Sequence, residues 1–393
     1  MKNQKEKIAI VHDYFNQFGG AEKTVEGWLE QYPTAVIYTS IFIKDKFVSS
    51  KNIMKAFDEG RIKTTFINKL FTNFGFVKFF KHFFWLYPIV MSFVVVKNFE
   101  RVLISSSYCA KNIRVKNVDQ IVVYSHSPTR YLHSLDRETE AKTIPRIFRV
   151  FIPLFTFWLK WMDLRAVKYL KSKDAQFVTN SLYMQQTHRD IYNVESVVIY
   201  PPVNVDNFLK IEKKVDPSDQ FLYYFGRISS HKKIDILMEA ALMASKNLYI
   251  CGSAAFELEN KKLADLKKSL EEKYPNSKGK IVFLGRLENS ERNDYLSRCK
   301  AFVFAGKEDF GIAPIEALAS STPIIMYKAG GALDYLVDGK NGLFANIQSA
   351  DCFAKVFEKV DEFEFDKSVI QDSAKRFDLQ SHLKQIEALF LTK

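Results

Sequence analysis

Cysteine is sparse in this 393-residue chain, and no two cysteines are spaced for chemistry. Cys109, Cys251, Cys299 and Cys352 are scattered without a C-x-x-C, which argues against a thiolate zinc site, a redox pair or a disulfide scaffold and points to a reducing compartment. A membrane-spanning run is also missing. Crossing a bilayer takes about 20 apolar residues, whereas the longest uncharged stretch, Phe83 to Val96, is shorter and contains Pro88. The N-terminal MKNQKEKIAIVHDYF enters a strand-like pattern directly, with neither a long apolar region nor a small-residue cleavage site. No secretory signal is read there, and a cytoplasmic placement is expected. The chain has no internal repeat, no low-complexity tract, no G-x-G-x-x-G and no recognisable nucleic-acid-binding module, so nucleic acid is not expected among its partners.

What is present is a chain long enough, and at 47% hydrophobic apolar enough, for two domains with separate cores. Its net charge of +12 is concentrated. Residues 61–101 carry a net +6 and residues 142–173 a net +7, leaving the remainder near neutral. These two stretches are also the aromatic ones, FINKLFTNFGFVKFFKHFFWLYPIVMSFVVV and IFRVFIPLFTFWLKWMD. Aromatics at an acyl boundary with Lys and Arg on anionic headgroups would hold the protein peripherally at the inner face of the cell membrane. Core helices with snorkelling basic side chains are the plainer alternative, and both stand open on sequence alone.

Strand-like apolar runs alternate with helical patterns throughout. KIAIVHDYF, AVIYTSIF, RVLISSS, QIVVYSH and AQFVTNS fall in the first half, and FLYYFGR, NLYICGS, IVFLGR, AFVFAG and PIIMYK in the second. That is an α/β signature with parallel sheets, occurring twice. YPPVNVDNF, with Pro201 and Pro202, reads as the boundary. The expected architecture is a Rossmann-like domain over 1–200, a second over 201–375 facing it across a cleft, and a terminal helix over 376–393 packing back toward the first.

Several strand ends carry residues suited to one chemistry. Gly19 and Gly20 after the first strand let backbone approach a phosphate at a helix start, or form a plain strand-to-helix corner. In FGRISSHKKIDILMEA, Arg227 and Lys232 share one loop and together can neutralise a diphosphate leaving group, unless they are simply solvated. GKEDFGIAPIEALAS places Glu308 at a strand exit and Glu316 eight residues on, with Pro314 expected as the first helical residue and Glu316 in the first turn. The N–H groups of Gly311, Ile312 and Ala313 could then hold polar ligand atoms while both carboxylates accept from sugar hydroxyls; dipole-stabilising or solvated acids are the plainer reading. His126, in VVYSHSPTRYLH, lies just past a strand, placed to bond a substrate hydroxyl or to be satisfied locally.

Taken together, HDYFNQFGGAEK, YSHSPTRYL, VIYPPVNVDNF, FGRISSHKKIDILMEA and EDFGIAPIEALASSTPIIMYKAGGALDYLVDGKNGLF resemble glycosyltransferase family 4, the retaining, nucleotide-sugar-dependent group of GT-B architecture, and within it the mannosyltransferase-like enzymes of bacterial surface polysaccharides. The resemblance implies that Glu308 contacts the donor sugar and Glu316 the ribose, as an E-x7-E pair. It implies that Arg227 and Lys232 bind the diphosphate, that Gly19 and Gly20 lie near the phosphates and acceptor, that His126 lies near the donor sugar, and that Phe310, Gly311 and Ile312 cradle sugar and phosphate. It further implies no metal and no cofactor beyond the nucleotide-sugar donor, and a lipid-linked glycan as acceptor. CGSAAFELE replaces the family's usual G-x-G-P-E type loop, and HSLDRETEAK departs from its usual pattern after the histidine. A non-catalytic membrane-associated GT-B subunit and a sugar-nucleotide epimerase of the same fold are the remaining alternatives.

Overall fold

The computed structural model describes residues 7–73, 83, 85–129, 132–133, 152–214, 216, 220–253 and 257–391. Residues 1–6, Lys78, Lys81, Arg130, Lys142, Arg146, Arg149 and most of HSLDRETEAK lie outside the described residues. The chain divides into two compact units, Met1–Pro202 together with Gln380–Lys393, and Val203–Leu379.

The first unit is built on a parallel sheet of β1 (Ile8–His12), β2 (Val36–Thr39), β3 (Ile62–Thr64), β4 (Val95–Ser106), β5 (Arg114–Ser125), β6 (Gln176–Thr179) and β7 (Val197–Val198), in the order β3-β2-β1-β4-β5-β6-β7. The second has β8 (Phe221–Phe225), β9 (Asn247–Cys251), β10 (Ile281–Gly285), β11 (Ala301–Phe304), β12 (Ile324–Tyr327) and β13 (Gly342–Ala345), in the order β10-β9-β8-β11-β12-β13. Each is doubly wound, with its order reversing beside its first strand, and the α/β expectation of two Rossmann-like sheets is met. Every residue of β1, β8 and β11 is buried, as strands covered on both faces require, which is why they read as unbroken apolar runs.

All ten strands read from sequence are present, and β3, β7 and β13 are additional. These last three are short edge strands, IKT, VV and GLFA, with too few residues to show a period. β4 and β5 also begin earlier than their apolar cores suggest. Each passes through an asparagine of left-handed backbone, Asn98 (φ 60°) and Asn117 (φ 51°), whose side chains bond at 3.1 Å, and they stay in register on both sides of it.

The two basic-aromatic segments have different fates. In the first, Tyr87, Val90, Met91 and Val96 join the core of the first unit, while Phe66, Leu70 and Phe93 are exposed. The second forms the helix Ile152–Lys171. Its inner face, Leu159, Asp163, Ala166, Val167 and Leu170, is buried, and its outer face runs from apolar (Leu154, Phe157, Trp161, Leu164) to basic (Arg165, Lys168, Lys171). Asp163 fastens it down. Its carboxylate takes Lys111 Nζ at 2.7 Å, Thr129 Oγ1 at 2.9 Å, His133 Nε2 at 2.9 Å and Tyr192 Oη at 2.7 Å. Burial alone would raise its pKa, but Lys111, His133 and Tyr192 together hold it well below the usual carboxylate range.

The C-terminal helix, Leu379–Leu391, carries residues that bond within the first unit. Trp28 donates its indole N–H to His382 Nε2 at 2.9 Å, and His382 Nδ1 meets the Tyr200 carbonyl at 2.7 Å. An indole can only donate, so Nε2 of His382 is bare and Nδ1 carries the proton. Glu387 adds a 2.8 Å ion pair with Arg101.

Candidate functional site

In the second unit the reversal point lies between β8 and β11, and the loops leaving those two strands carry the expected residues. The loop after β8 holds Arg227, whose side chain is exposed, and Lys232. The loop after β11 holds Glu308, Phe310 and Gly311. Lys232 Nζ bonds Glu308 Oε1 directly, and the ammonium also sits 5.3 Å from the centre of the Phe304 ring. Ammonium and carboxylate therefore hold each other at the mouth of the sheet, with about a sixth of each side chain open to solvent.

The helix after β11 starts at Ile312, two residues before Pro314. Gly311 caps it with φ +96°, a conformation that a β-carbon disfavours, and so the chain enters the helix earlier than the proline suggests. Pro314 is the third helical residue, tolerated because a first-turn N–H has no partner inside the helix. The first-turn amides of Ile312 and Ala313 are the donors this leaves for a ligand. Glu316 accordingly lies in the second turn, not the first. It is buried, and its Oε2 is 3.5 Å from Nη1 of Arg292, whose guanidinium lies over Phe225 and Phe208 at 5.3 and 5.4 Å.

The Glu308 loop is braced from behind. Gly331 N–H donates to the Glu308 carbonyl at 2.9 Å, and Tyr335 Oη donates to the Phe310 carbonyl at 2.9 Å. A β-carbon on Gly330 would lie 2.2 Å from that same Glu308 carbonyl oxygen, at a φ of +65°. Gly330→Ala should therefore displace Glu308 and cost more than about 1 kcal/mol of stability. Denaturant unfolding would check this, and an unchanged midpoint would count against the bracing.

In the first unit the reversal lies between β1 and β4. Asp13, directly after β1, accepts from the backbone N–H groups of Ser107 (2.6 Å), Tyr108 (3.0 Å) and Ala110 (2.6 Å), and from Ser106 Oγ (3.2 Å), so it clamps the turn that follows β4. Gly19 is the N-cap and Gly20 the first residue of the helix Gly20–Gln31. That helix end already carries the protein's own anion. Glu22 Oε2 accepts from Gly19 N–H at 2.9 Å, which weakens the case for a phosphate at Gly19 and Gly20.

His126 is half-buried beside Tyr124, and its Nε2 is 2.8 Å from Ser105 Oγ. The same hydroxyl is 3.0 Å from His12 Nδ1, and His12 Nε2 is 3.7 Å from Glu22 Oε1. Burial, then the neighbouring His12 and His382, lower the His126 pKa to about 3, so the imidazole is neutral at physiological pH. It can bond a hydroxyl but cannot supply a positive charge.

Within the second unit, then, Lys232 and Glu308 meet, with Phe310, Gly311 and Ile312 on the same loop and Glu316 tied to Arg292. Gly19, Gly20 and His126 belong to the first unit. Sequence reading missed Arg292, Tyr335 and the Gly330-Gly331 brace in the second unit, and Asp13, His12, Ser105 and Glu22 in the first. An acid directly after the first strand, in HDYF, was a usable signal for Asp13; no spacing singles out Arg292. Among the described residues no group of three or more His, Cys, Asp or Glu side chains is placed to hold a metal ion.

Residues 206–376 match the family described as glycosyl transferases group 1. The chain is 23% identical to an alpha-1,3/1,6-mannosyltransferase of Dictyostelium discoideum, over 61% of each protein. It is 24% identical to an O-antigen chain mannosyltransferase of Salmonella typhimurium, over 61% of this chain and 63% of that protein. These matches span about three-fifths of those relatives' lengths. Among solved structures, an Anabaena protein in complex with UDP and glucose superposes with a TM-score of 0.64 at 17% identity, over 99% of this chain and all of that one. A lipopolysaccharide outer core galactosyltransferase in its apo form gives 0.63 at 15% identity, over 98% of this chain and all of that one. At such identities the structures speak for the fold, which is GT-B.

Proposed function

We propose that the chain, whose residues 206–376 match the glycosyl transferases group 1 family, is a retaining glycosyltransferase moving mannose from GDP-mannose to a lipid-linked glycan. The observation that carries this is the Lys232–Glu308 pair at the reversal point of the second sheet, beside the exposed Arg227 and the amide-bearing helix start at Ile312. An anionic diphosphate and a polyhydroxylated sugar are what such a set would take apart and share. Lys232 and Arg227 turn to phosphate, and Glu308 turns to sugar hydroxyls. Glu316, held by Arg292, takes the ribose hydroxyls. The mannosyltransferases among the relatives support the choice of sugar.

In the reaction the bond from the anomeric carbon to the diphosphate oxygen breaks and one to the acceptor oxygen forms. No carboxylate is assigned as an enzyme nucleophile, so retention follows from attack on the face the diphosphate leaves, with the acceptor's proton passing to the departing phosphate oxygen. Arg227, Lys232 and the amides of Ile312 and Ala313 stabilise the charge that gathers on that oxygen, the role a divalent cation would otherwise fill. The reaction needs no metal on this reading. His126, neutral, holds a substrate hydroxyl and helps orient the oxocarbenium-like state.

The first unit takes the acceptor, and the outer face of Ile152–Lys171 rests on the inner face of the cell membrane. Leu154, Phe157 and Trp161 are 70%, 69% and 49% exposed at helical spacing, and the basic residues follow on the same face. Apolar side chains at the acyl boundary beside cations at anionic headgroups is an arrangement water alone does not favour. No helix among the described residues is long and apolar enough to cross a membrane.

Two measurements test these assignments. A donor present at about 100 times its dissociation constant should stabilise the protein by roughly 2.7 kcal/mol. A thermal-shift series with GDP-mannose, UDP-glucose, UDP-galactose and UDP-GlcNAc, without added metal, is expected to respond to GDP-mannose; a response to a uridine donor alone would reassign the nucleotide. Co-sedimentation with anionic vesicles is expected for the wild type at low salt and to be lost in Phe157→Asp. Equal recovery of both proteins in the supernatant would remove the membrane assignment.

A further inference from the structure

The hydroxyl of Ser105 lies between two imidazoles, and it has one proton to give. It is fully buried, 2.8 Å from His126 Nε2 and 3.0 Å from His12 Nδ1. Both rings cannot receive that proton, so one ring must donate to the serine oxygen, and the tautomers of His12 and His126 are coupled. With both rings neutral and the serine proton shared between them, two polarities of the chain exist. In one, Ser105 donates to His12 Nδ1, His126 Nε2–H donates to Ser105, and the proton of His12 sits on Nε2. In the other, His12 Nδ1–H donates to Ser105, which donates to His126 Nε2, and His12 Nε2 is bare.

Glu22 distinguishes them. Its Oε1 is 3.7 Å from His12 Nε2, and its Oε2 is held by the Gly19 amide, so the carboxylate stands fixed at the helix start. Both His12 and Glu22 are almost wholly buried. A bare imidazole nitrogen facing a carboxylate sets a lone pair against a negative charge in a poorly screened place, whereas an N–H there is attracted. The first polarity wins. His126 then carries its proton on Nε2, engaged with Ser105, and Nδ1 is left as a lone-pair acceptor that takes no hydrogen bond among the described residues.

We propose that Glu22, His12 and Ser105 are positioning residues that fix His126 as the Nε2–H tautomer, so that its Nδ1 accepts a hydrogen bond from a substrate hydroxyl and turns anionic groups away. The consequence for specificity rests on the transferase reading above. A hydroxyl can donate to a bare Nδ1; a phosphate or carboxylate oxygen cannot, and meets a lone pair instead. The partner of His126 is thus a sugar hydroxyl rather than the diphosphate. The opposite tautomer would have suited a phosphate.

The test is a two-bond proton–nitrogen correlation spectrum of the full-length protein with labelled histidine, assigned by comparison with His126→Asn. The expected result is a pyrrole-type Nε2 and a pyridine-type Nδ1 for His126. Glu22→Gln, which keeps an acceptor for the Gly19 amide but removes the charge, should convert this into a mixture of tautomers, and Ser105→Ala should do the same by cutting the link. A wild-type His126 with its proton on Nδ1 overturns the proposal, as does a spectrum unchanged by either substitution; should Ser105→Ala not fold, Glu22→Gln decides alone. This readout needs no substrate, so it stands apart from the enzyme assignment: a correctly polarised chain in a protein that transfers no sugar would sink the transferase reading and leave the relay intact. In an active enzyme, Ser105→Ala should lower kcat about tenfold, near the net worth of one hydrogen bond, with the donor KM changed less than about twofold.

Discussion

Lys232→Ala is expected to lower sugar transfer by about 10²- to 10³-fold, the loss typical of removing one preorganised group from developing negative charge. The substitution also strips Glu308 of the Lys232 ammonium, leaving a less compensated carboxylate where the diphosphate is proposed to lie. Donor binding should weaken along with turnover. Glu308→Gln keeps the shape and the hydrogen-bonding reach but removes the charge, so its loss should fall on kcat more than on KM. Both variants should remain folded, because the pair sits on two loops rather than in the sheet core and the cost of breaking it, at most about 3–5 kcal/mol, stays below a total stability of about 5–15 kcal/mol. Steady-state kinetics on both variants, with circular dichroism to confirm the fold, would check this. Wild-type rates in both would remove the Lys232–Glu308 pair from the mechanism.

Acid should unfold the first unit well before carboxylate protonation becomes important. Three of its histidines are held neutral: burial, aided by Lys111, lowers His188 to about 3, burial lowers His382 to about 4, and burial, with His12 and His382, lowers His126 to about 3. Each folded pKa lies below the ordinary value of 6.5, so the unfolded chain binds more protons once the pH drops under 6.5, and native stability falls with it. The loss grows until the pH reaches the folded pKa. At pH 5 that is about 2 kcal/mol for each fully buried imidazole, or about 4 kcal/mol for His188 and His382 together, with a smaller share from the half-buried His126. Against a total stability of about 5–15 kcal/mol this is a large fraction. Asp163 acts lower down: its pKa is depressed, so its contribution is present above its ordinary value of 3.8 and is lost only below it. Urea unfolding at pH 7.5, 6 and 5 should show the midpoint falling between the first and last. A midpoint independent of pH over that range would contradict the burial of these rings as neutral groups.

The parts of this protein legible in its sequence were those that local pattern dictates. Unbroken apolar strands such as FLYYF and AFVF announce sheets covered on both faces, and the residues just beyond their ends announce the loops where ligands of such sheets bind. Lys232 and Glu308 were legible for that reason, although 76 residues separate them. What pattern does not carry is the pairing of side chains across strands. Ser105 reads as one more serine in RVLISSS, and only the β1–β4 register, which puts it beside His12, makes it a bridge to His126. Arg292 is one charge among several on a polar helix until the fold lays it over Phe225 and against Glu316. Pro314 misled for a more local cause: the helix start is set by the positive φ of Gly311, and the proline merely fits inside the first turn. The basic-aromatic segments divided because their composition was the same while their burial was not, with Tyr87 and Met91 in the core and Phe157 and Trp161 facing outward.

The measurement that bears most directly on the central claim is transfer itself. Purified protein would be incubated with labelled GDP-mannose and a lipid-linked glycan fraction in the presence of a chelator, and the label followed into the organic-soluble product beside Glu308→Gln. Label should accumulate in the lipid-linked product with the wild type, despite the chelator, and not with the variant. Consumption of donor to another nucleotide sugar without any acceptor would identify an epimerase, and an inert donor with every acceptor and every nucleotide sugar offered would show that this fold is used here without catalysis.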